Sequence, residues 1–491
     1  MIPFPKRIEQ LGRPKAQKDC MLSTLAAVAA LAAPTSTEVT VYNQGMGFIK
    51  EVRAAKLKKG SQSMLVENVA QLIDPTSVGF KCLSNPGSVG VLEQNYQFDL
   101  ISPQSILAKS VGKKIRLTRA VGMQKETLTG TLLSSPTTVV NTGNGQEYSY
   151  NGLVIRADDG RIILSPQGEI DVMEMPEGLI STPSLIWELD SDKDQDAQIE
   201  LSYLTQGMSW NANYVLTLDK DSTANVQGWV SLNNQSGMSF KDATLKLLAG
   251  EINTVQPPRA EFMAMAADSN VRRAKGGNQM AEESLFEYHL YTLQRPATVR
   301  NKENKQLSLL TGENVPVKKQ IIFDSMAGYD GYYPDEGQVG MGQLSPLVKL
   351  KFVNDEKSNL GMPFPAGKIR IYSRDSKGSV QFLGEDMIKH TPKDEKISLN
   401  VGRSFDIRAD RKRTNFTRIA AQRVRETFEI EVRNRKAVAE TVFLYERHWG
   451  DWKITDKSDA FVKEDSSTAV FELKLKAGEV KTVSYTVETK W

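Results

Sequence analysis

Of the three histidines in this 491-residue chain, His390 is the most interesting: Glu385 and Asp386 precede it, and Asp394 and Glu395 follow. Carboxylates on both sides of an imidazole can orient it or hold its charge, as general-base or metal chemistry requires. The competing reading is a structured turn in which His390 caps backbone groups ahead of Pro392. The turn is preferred, because no nucleophile or second ligand stands nearby. His289 and His448 lie at no metal-ligand spacing from His390 or from each other.

Alternating acids form a second candidate. Asp190, Asp192, Asp194 and Asp196 precede Glu200, and alternating carboxylates can turn oxygens toward one calcium ion. The helix-loop-helix version of such a site needs Gly at its sixth position and Glu at its twelfth, where this chain has Gln195 and Leu201. A solvated hairpin turn between strands at 185–189 and 199–203 accounts for the same residues. A third candidate is basic. Arg408, Arg411, Lys412, Arg413, Arg418, Arg423 and Arg425 face one acid, Asp410, and one aromatic, Phe416. Clustered Arg can engage an acidic polysaccharide, lipid headgroups or another subunit. The alternative is a hairpin whose charges protect a sheet edge.

Aromatic residues supply the last group. Trp210, Tyr214, Trp229, Tyr288, Tyr291, Trp449 and Trp452 could stack on sugars, although at strand spacing aromatics are usually core. Tyr329, Tyr332 and Tyr333 sit in a Gly-rich stretch instead, where a contact surface is the expectation. P-loop, G-x-S-x-G, H-E-x-x-H and paired C-x-x-C motifs are missing. No cofactor is implied.

Strands must position these residues. Period-two alternation recurs at Val39 and Val41, at Ile369 and Ile371, at Ile397, Leu399 and Val401, and at Val483, Tyr485 and Val487. Turn-forming segments separate the runs, and convincing helices are few. The pattern predicts an all-β, multi-domain chain of antiparallel β-sandwiches with a small inserted β-barrel. The expected divisions are a signal segment at 1–33, an N-terminal sandwich part at 34–109 and the inserted barrel at 110–175. A sandwich at 176–256, a linker at 257–284 and a C-terminal sandwich region at 285–491 follow. A second loop is expected at 328–346.

Composition narrows the function. With 40% hydrophobic and 25% charged residues the chain is of ordinary globular type. Its 62 basic and 59 acidic residues leave a net charge of +3, which argues against nucleic acid. Lys6, Arg7, Arg13, Lys15 and Lys18 precede a 13-residue apolar run ending at Ala33, with an A-x-A site at Ala30 to Ala32. That order is that of a secretory signal, and the run is too short to span a bilayer. Export to the periplasm or beyond is therefore expected, with no transmembrane segment. Cleavage would leave Cys82 as the sole cysteine and exclude an intrachain disulfide.

Several long phrases carry a family resemblance. They are VTVYNQGMGFIKEVR at 39–53, LSYLTQGMSWNANYVLTLDKDSTANVQGWVSLNNQSGMSFKDATLKLLAG at 201–250, and FEYHLYTLQRPATVRNKENKQLSLL at 286–310. LGMPFPAGKIRIYSRDSKGSVQFLGEDMIKHTPKDEKISLNVGRSFDI at 360–407 and VRNRKAVAETVFLYERHWGDWKI at 432–454 follow in order. The chain resembles the mostly bacterial family named domain of unknown function 4139, some of whose members are labelled mucoidy-inhibitor-like. The resemblance implies an all-β, usually exported protein and transfers no catalytic residues. The expectation is thus a non-catalytic binding or assembly module of the cell envelope, with an envelope protein or polysaccharide as partner and a homo-oligomer possible. The alternative is an envelope-polymer hydrolase or metal-dependent enzyme built around His390.

Overall fold

Strand alternation becomes one-sided burial. Along Met46–Leu57 and Gln195–Gln206 nearly every second residue is buried, as in strands packed on one face and wet on the other. The computed structural model describes residues 29–121, 124–134, 137–142, 145–150, 152–220, 222–250, 252–253, 279–327 and 340–491. Within these residues the strands form seven sheets, and the α-helix is Pro103–Lys109. The fold is all-β with several sheets. No helix among the described residues is long and apolar enough to cross a membrane.

The N-terminal sheet runs in the order Ala29–Ala30, Gly60–Glu67, Ser184–Ser191, Val89–Gln97. It packs on a larger sheet that contains Pro34–Tyr42, Met46–Leu57, Gln195–Gln206 and Phe240–Ala249. Trp187 meets Phe80 edge-on at 5.0 Å and donates its indole N–H to Gln94 Oε1 at 2.9 Å. Within the buried face of Met46–Leu57, Glu51 and Arg53 pair at 2.7 Å, and Arg53 also donates to the carbonyls of Glu67 and Asn68. Leu31 is buried and its N–H reaches Leu65 O, so the expected cleavage position adjoins a hydrogen-bonded sheet edge.

A central sheet follows, ordered Glu303–Pro316, Thr223–Asn234, Met208–Lys220, Gly367–Arg374, Val380–Ile388. Next comes a sheet ordered Lys396–Arg403, Leu347–Val353, Lys318–Asp324, Glu440–Arg447, Thr468–Leu475, Phe461–Lys463. This sheet is shared between two cores. Its first two strands bury Leu350, Phe352, Ile397 and Leu399 with Ile369 and Ile371 of the central sheet. The next three bury Ile321, Phe323, Leu444 and Phe471 against the C-terminal sheet, which includes Ile407–Ala420, Arg423–Asn434, Asp451–Lys457 and Val480–Lys490. Pairing is mostly antiparallel, but Ala29–Ala30 with Gly60–Glu67, Phe240–Ala249 with Pro34–Tyr42, Met208–Lys220 with Gly367–Arg374 and Lys318–Asp324 with Glu440–Arg447 are parallel.

Val380–Ile388 ends the central sheet against Lys396–Arg403, which begins the shared one. Gly384 permits that approach, because a Cβ there would overlap the Val401 carbonyl oxygen. Gly384→Ala is expected to cost about 1–3 kcal/mol through overpacking. Urea unfolding measures it, and an unchanged midpoint would mean that the two edges part freely.

The insert differs from the expected closed barrel. Five of its strands are ordered Ile162–Leu164, Val154–Ala157, Gln124–Leu132, Lys114–Val121, Glu169–Val172, an open sheet among the described residues, and Thr137–Thr142 pairs separately with Gly145–Tyr150. Closure needs long, tilted and staggered outer strands, and those of the open sheet have only three and four residues. Leu107, from the helix, packs on the core of Ile115, Leu117, Leu132, Leu153 and Ile155. Ser102 caps that helix by accepting from Ser105 N at 3.0 Å, with Pro103 in its first turn.

Two loop expectations also change. Within the expected linker, residues 257–278 lie outside the described residues, but Met280–Leu285 pairs with Tyr288–Leu293. Only Met280 of that strand is buried, so alternation gave no signal. Within the second loop, Gly342–Leu344 pairs with Ala409 to Arg411. Tyr329, Tyr332 and Tyr333 lie outside the described residues.

Candidate functional site

His390 lies past the end of Val380–Ile388, exposed, with Nδ1 accepting from Ala366 N at 3.2 Å. The turn is held by Phe364 and Thr391, which exchange backbone hydrogen bonds of 2.8 and 2.9 Å. Glu385 and Asp386 are neighbours in a strand, so their side chains leave opposite faces. Glu385 lies 3.1 Å from Lys368 Nζ and 3.6 Å from Arg370 Nε. Asp386 accepts from Asn400 N at 2.6 Å and Met387 N at 2.8 Å. The structure therefore does not gather both carboxylates around the imidazole.

The alternating acids occupy a corner, not the expected hairpin turn. Ser184–Ser191 pairs within the N-terminal sheet, whereas Gln195–Gln206 pairs with Met46–Leu57 in the next one. Asp194 accepts from Lys59 N at 2.8 Å, which together with Lys58 holds its carboxyl below the ordinary range. Asp190 accepts from Ser61 Oγ at 3.2 Å. Asp192 uses its backbone N–H to reach Ser88 O at 3.1 Å. These contacts tie the corner to neighbouring turns. Among the described residues no three His, Cys, Asp or Glu converge as a metal site.

The basic run is a hairpin, Ile407–Ala420 with Arg423–Asn434, and acids from adjacent strands face much of it. Arg413 lies 2.9 Å from Glu426. Arg423 and Arg425 both reach Glu488 and hold its carboxyl below the usual range. Arg408 bonds Ser345 Oγ, Arg418 donates to Ala421 O at 3.3 Å, and the Lys412 side chain is 69% exposed.

Arg411 turns the other way. Only 3% exposed, it donates Nε–H to Glu446 Oε2 at 2.8 Å and packs 3.9 Å above the Phe428 ring. Tyr485 donates its hydroxyl to the same carboxylate oxygen at 2.5 Å. His448 lies beside Trp452 and Tyr485, with ring centroids 4.9 and 5.8 Å away. Burial, then the Arg411 charge, push its imidazole down to about 3. Burial opposes the Arg411 charge, but Glu446 and Tyr485 outweigh that and tighten its hold on the proton.

This cluster joins Ile407–Ala420 and Val480–Lys490 of one sheet to Glu440–Arg447 of the other. A neutral histidine 6% exposed is placed to fix packing, not to meet a polymer. Glu446 was not singled out from the sequence, and Tyr485 was read there only as one residue of an alternating strand. The available signal was phase: Arg411 follows Ile407 and Ala409 in alternation, and Glu446 follows Val442 and Leu444.

No curated protein matches the chain. A family model described as a domain of unknown function (DUF4139) matches residues 199–491. That span opens within Gln195–Gln206 and takes in the central, shared and C-terminal sheets, with the buried Arg411–Glu446 pair inside it. The chain is thus a member of the domain of unknown function 4139 family.

Proposed function

We propose that this protein is an exported, non-catalytic module of the cell envelope that acts by binding or assembly. The observation that supports this most directly is the engagement of the candidate catalytic groups. Glu385 binds Lys368, Asp386 receives the Asn400 N–H, and His390 receives the Ala366 N–H. Each contact holds the edge strand Val380–Ile388 or the turn after it. Export rests on the signal-like order of residues 6–33. Partners would be an envelope protein or polysaccharide, and self-association is open to the same surfaces. Arg408, Lys412, Arg413 and Arg418 remain candidate contacts, with Tyr332 and Tyr333; Arg411 is too deeply buried to meet a partner.

The test is capture from a solubilised envelope fraction with wild-type protein and with His390→Ala, alongside metal analysis. Both proteins are expected to fold, to capture the same partner and to carry no stoichiometric metal. A folded His390→Ala variant that lost activity on an envelope polymer would overturn the reading.

A further inference from the structure

The central sheet has one face in the large core and another whose side chains are mostly half-exposed, with Thr217 buried among them. Register assigns that outer face residue by residue, since paired residues share a face and successive ones alternate. Trp210, Tyr214 and Leu216 are buried, so Asn211, Asn213 and Val215 point outward. Asn213 is paired with Trp229 on one side and Lys368 on the other. Val215 is paired with Gln227 and Arg370, and Thr217 with Asn225 and Tyr372. Tyr372 is in turn paired with Phe382 on the edge strand, their rings 5.5 Å apart.

Three features of this face specify a ligand class. First, its aromatics are available. Trp187, Trp210 and Trp452 are buried and donate their indole N–H to Gln94, Leu248 and Ser466. Trp229 is partly exposed, and Phe382 is 56% exposed. Second, its charge is largely paired along one border. Lys368 and Arg370 share Glu385, at 3.1 and 3.6 Å, and Arg374 faces Asp219 at 3.4 Å, which leaves one surplus cation. The strands inward from there present amides and hydroxyls, including the exposed Asn211 and Gln227. Such side chains offer donors and acceptors together. Third, the rings are separated. Two inter-strand spacings and four residues separate Trp229 from Tyr372, roughly 16 Å at standard sheet spacings. A single sugar cannot reach both; an extended chain can.

We propose that the outer face of the central sheet is a binding platform for an extended, uncharged polysaccharide chain. The proposal rests on the binding-module reading and gives it a surface and a ligand class. Sugar rings lie on Trp229 and on the Tyr372–Phe382 pair, whose faces are apolar. Hydroxyl or acetamido groups exchange hydrogen bonds with Asn213 and Gln227 between them and with Asn211 beyond Trp229.

The test titrates full-length protein with oligosaccharides of β-1,4-linked glucose and of β-1,4-linked N-acetylglucosamine, followed by tryptophan fluorescence and calorimetry. Saturable binding to one of them is expected, and high salt should leave it unchanged because no ion pair is made. Trp229→Ala should weaken it about tenfold, as loss of an aromatic anchor does. Asn213→Ala and Phe382→Ala should weaken it less, with melting temperatures near wild type; they carry the test if Trp229→Ala fails to fold. Absence of saturable binding to either glycan would overturn the proposal. So would binding that Asn213→Ala and Phe382→Ala leave intact. An envelope protein still captured after a failed titration would refute this face while sparing the binding-module reading. Failure of both would remove both.

Discussion

Arg411→Leu is expected to destabilise the C-terminal sandwich by about 3–5 kcal/mol, the usual effect of stripping one partner from a buried ion pair. Glu446 is fully buried, and its Oε1 has no hydrogen-bond partner among the described residues. After the substitution its charge would rest on the Tyr485 hydroxyl alone. Arg411→Lys should be only a partial rescue. An ammonium cannot reproduce the planar guanidinium that lies on Phe428 while bonding Glu446. Replacing both partners, as Arg411→Leu with Glu446→Leu, should cost clearly less than the sum of the single changes. The residual term is Tyr485, left without its acceptor at about 1–3 kcal/mol. Urea unfolding of all the variants closes the cycle. If Arg411→Leu alone cost under about 1 kcal/mol, the pair would not be what holds these two sheets together.

That cluster also shows what the sequence could and could not yield. The all-β class was legible because alternation such as that in Met46–Leu57 reports one buried face. The same alternation contains the buried ion pairs, once a charged residue in apolar phase is taken seriously. Glu51 and Arg53 share a face with Ile49, Ala55 and Leu57, just as Arg411 shares one with Ile407 and Ala409. Trp229 is the converse case. Its same-face neighbours are Ser231 and Asn233, while Val230 and Leu232 fill the core, so phase marks it as outward although its chemistry suggests burial. What phase cannot encode is which strand pairs with which. The Asp190 to Asp196 stretch therefore read as a hairpin when it is a corner between sheets, and the insert read as a barrel when its edges stay apart. Both depend on contacts made far away in sequence.

Acidification should weaken the same sandwich through His448. In the unfolded chain its imidazole protonates near the ordinary value of about 6.5. In the fold it stays neutral down to about 3, because burial and the Arg411 charge both disfavour the cation. Between those values the unfolded state binds the additional proton, so stability is complete above pH 6.5 and falls as pH falls. The limiting slope is about 1.4 kcal/mol per pH unit, and by pH 4.5 the loss reaches roughly 2–3 kcal/mol. Carboxylates held below their ordinary range, such as Asp459 and Glu488, add their own losses only at lower pH. The window from 6.5 to 4.5 is therefore the informative one. His448→Phe should keep the ring contact with Trp452, remove an Nε2 that has no hydrogen-bond partner among the described residues, and flatten the profile. His289 and His390 are present in both proteins, so the difference between the two profiles belongs to His448. Arg411→Leu should act in the same direction by removing the facing cation, whereas Tyr485, whose hydroxyl burial and Glu446 hold protonated well above neutrality, contributes no charge in this range. Parallel profiles for wild type and His448→Phe would mean that the imidazole reaches water in the native state, and would contradict the burial from which its neutrality follows.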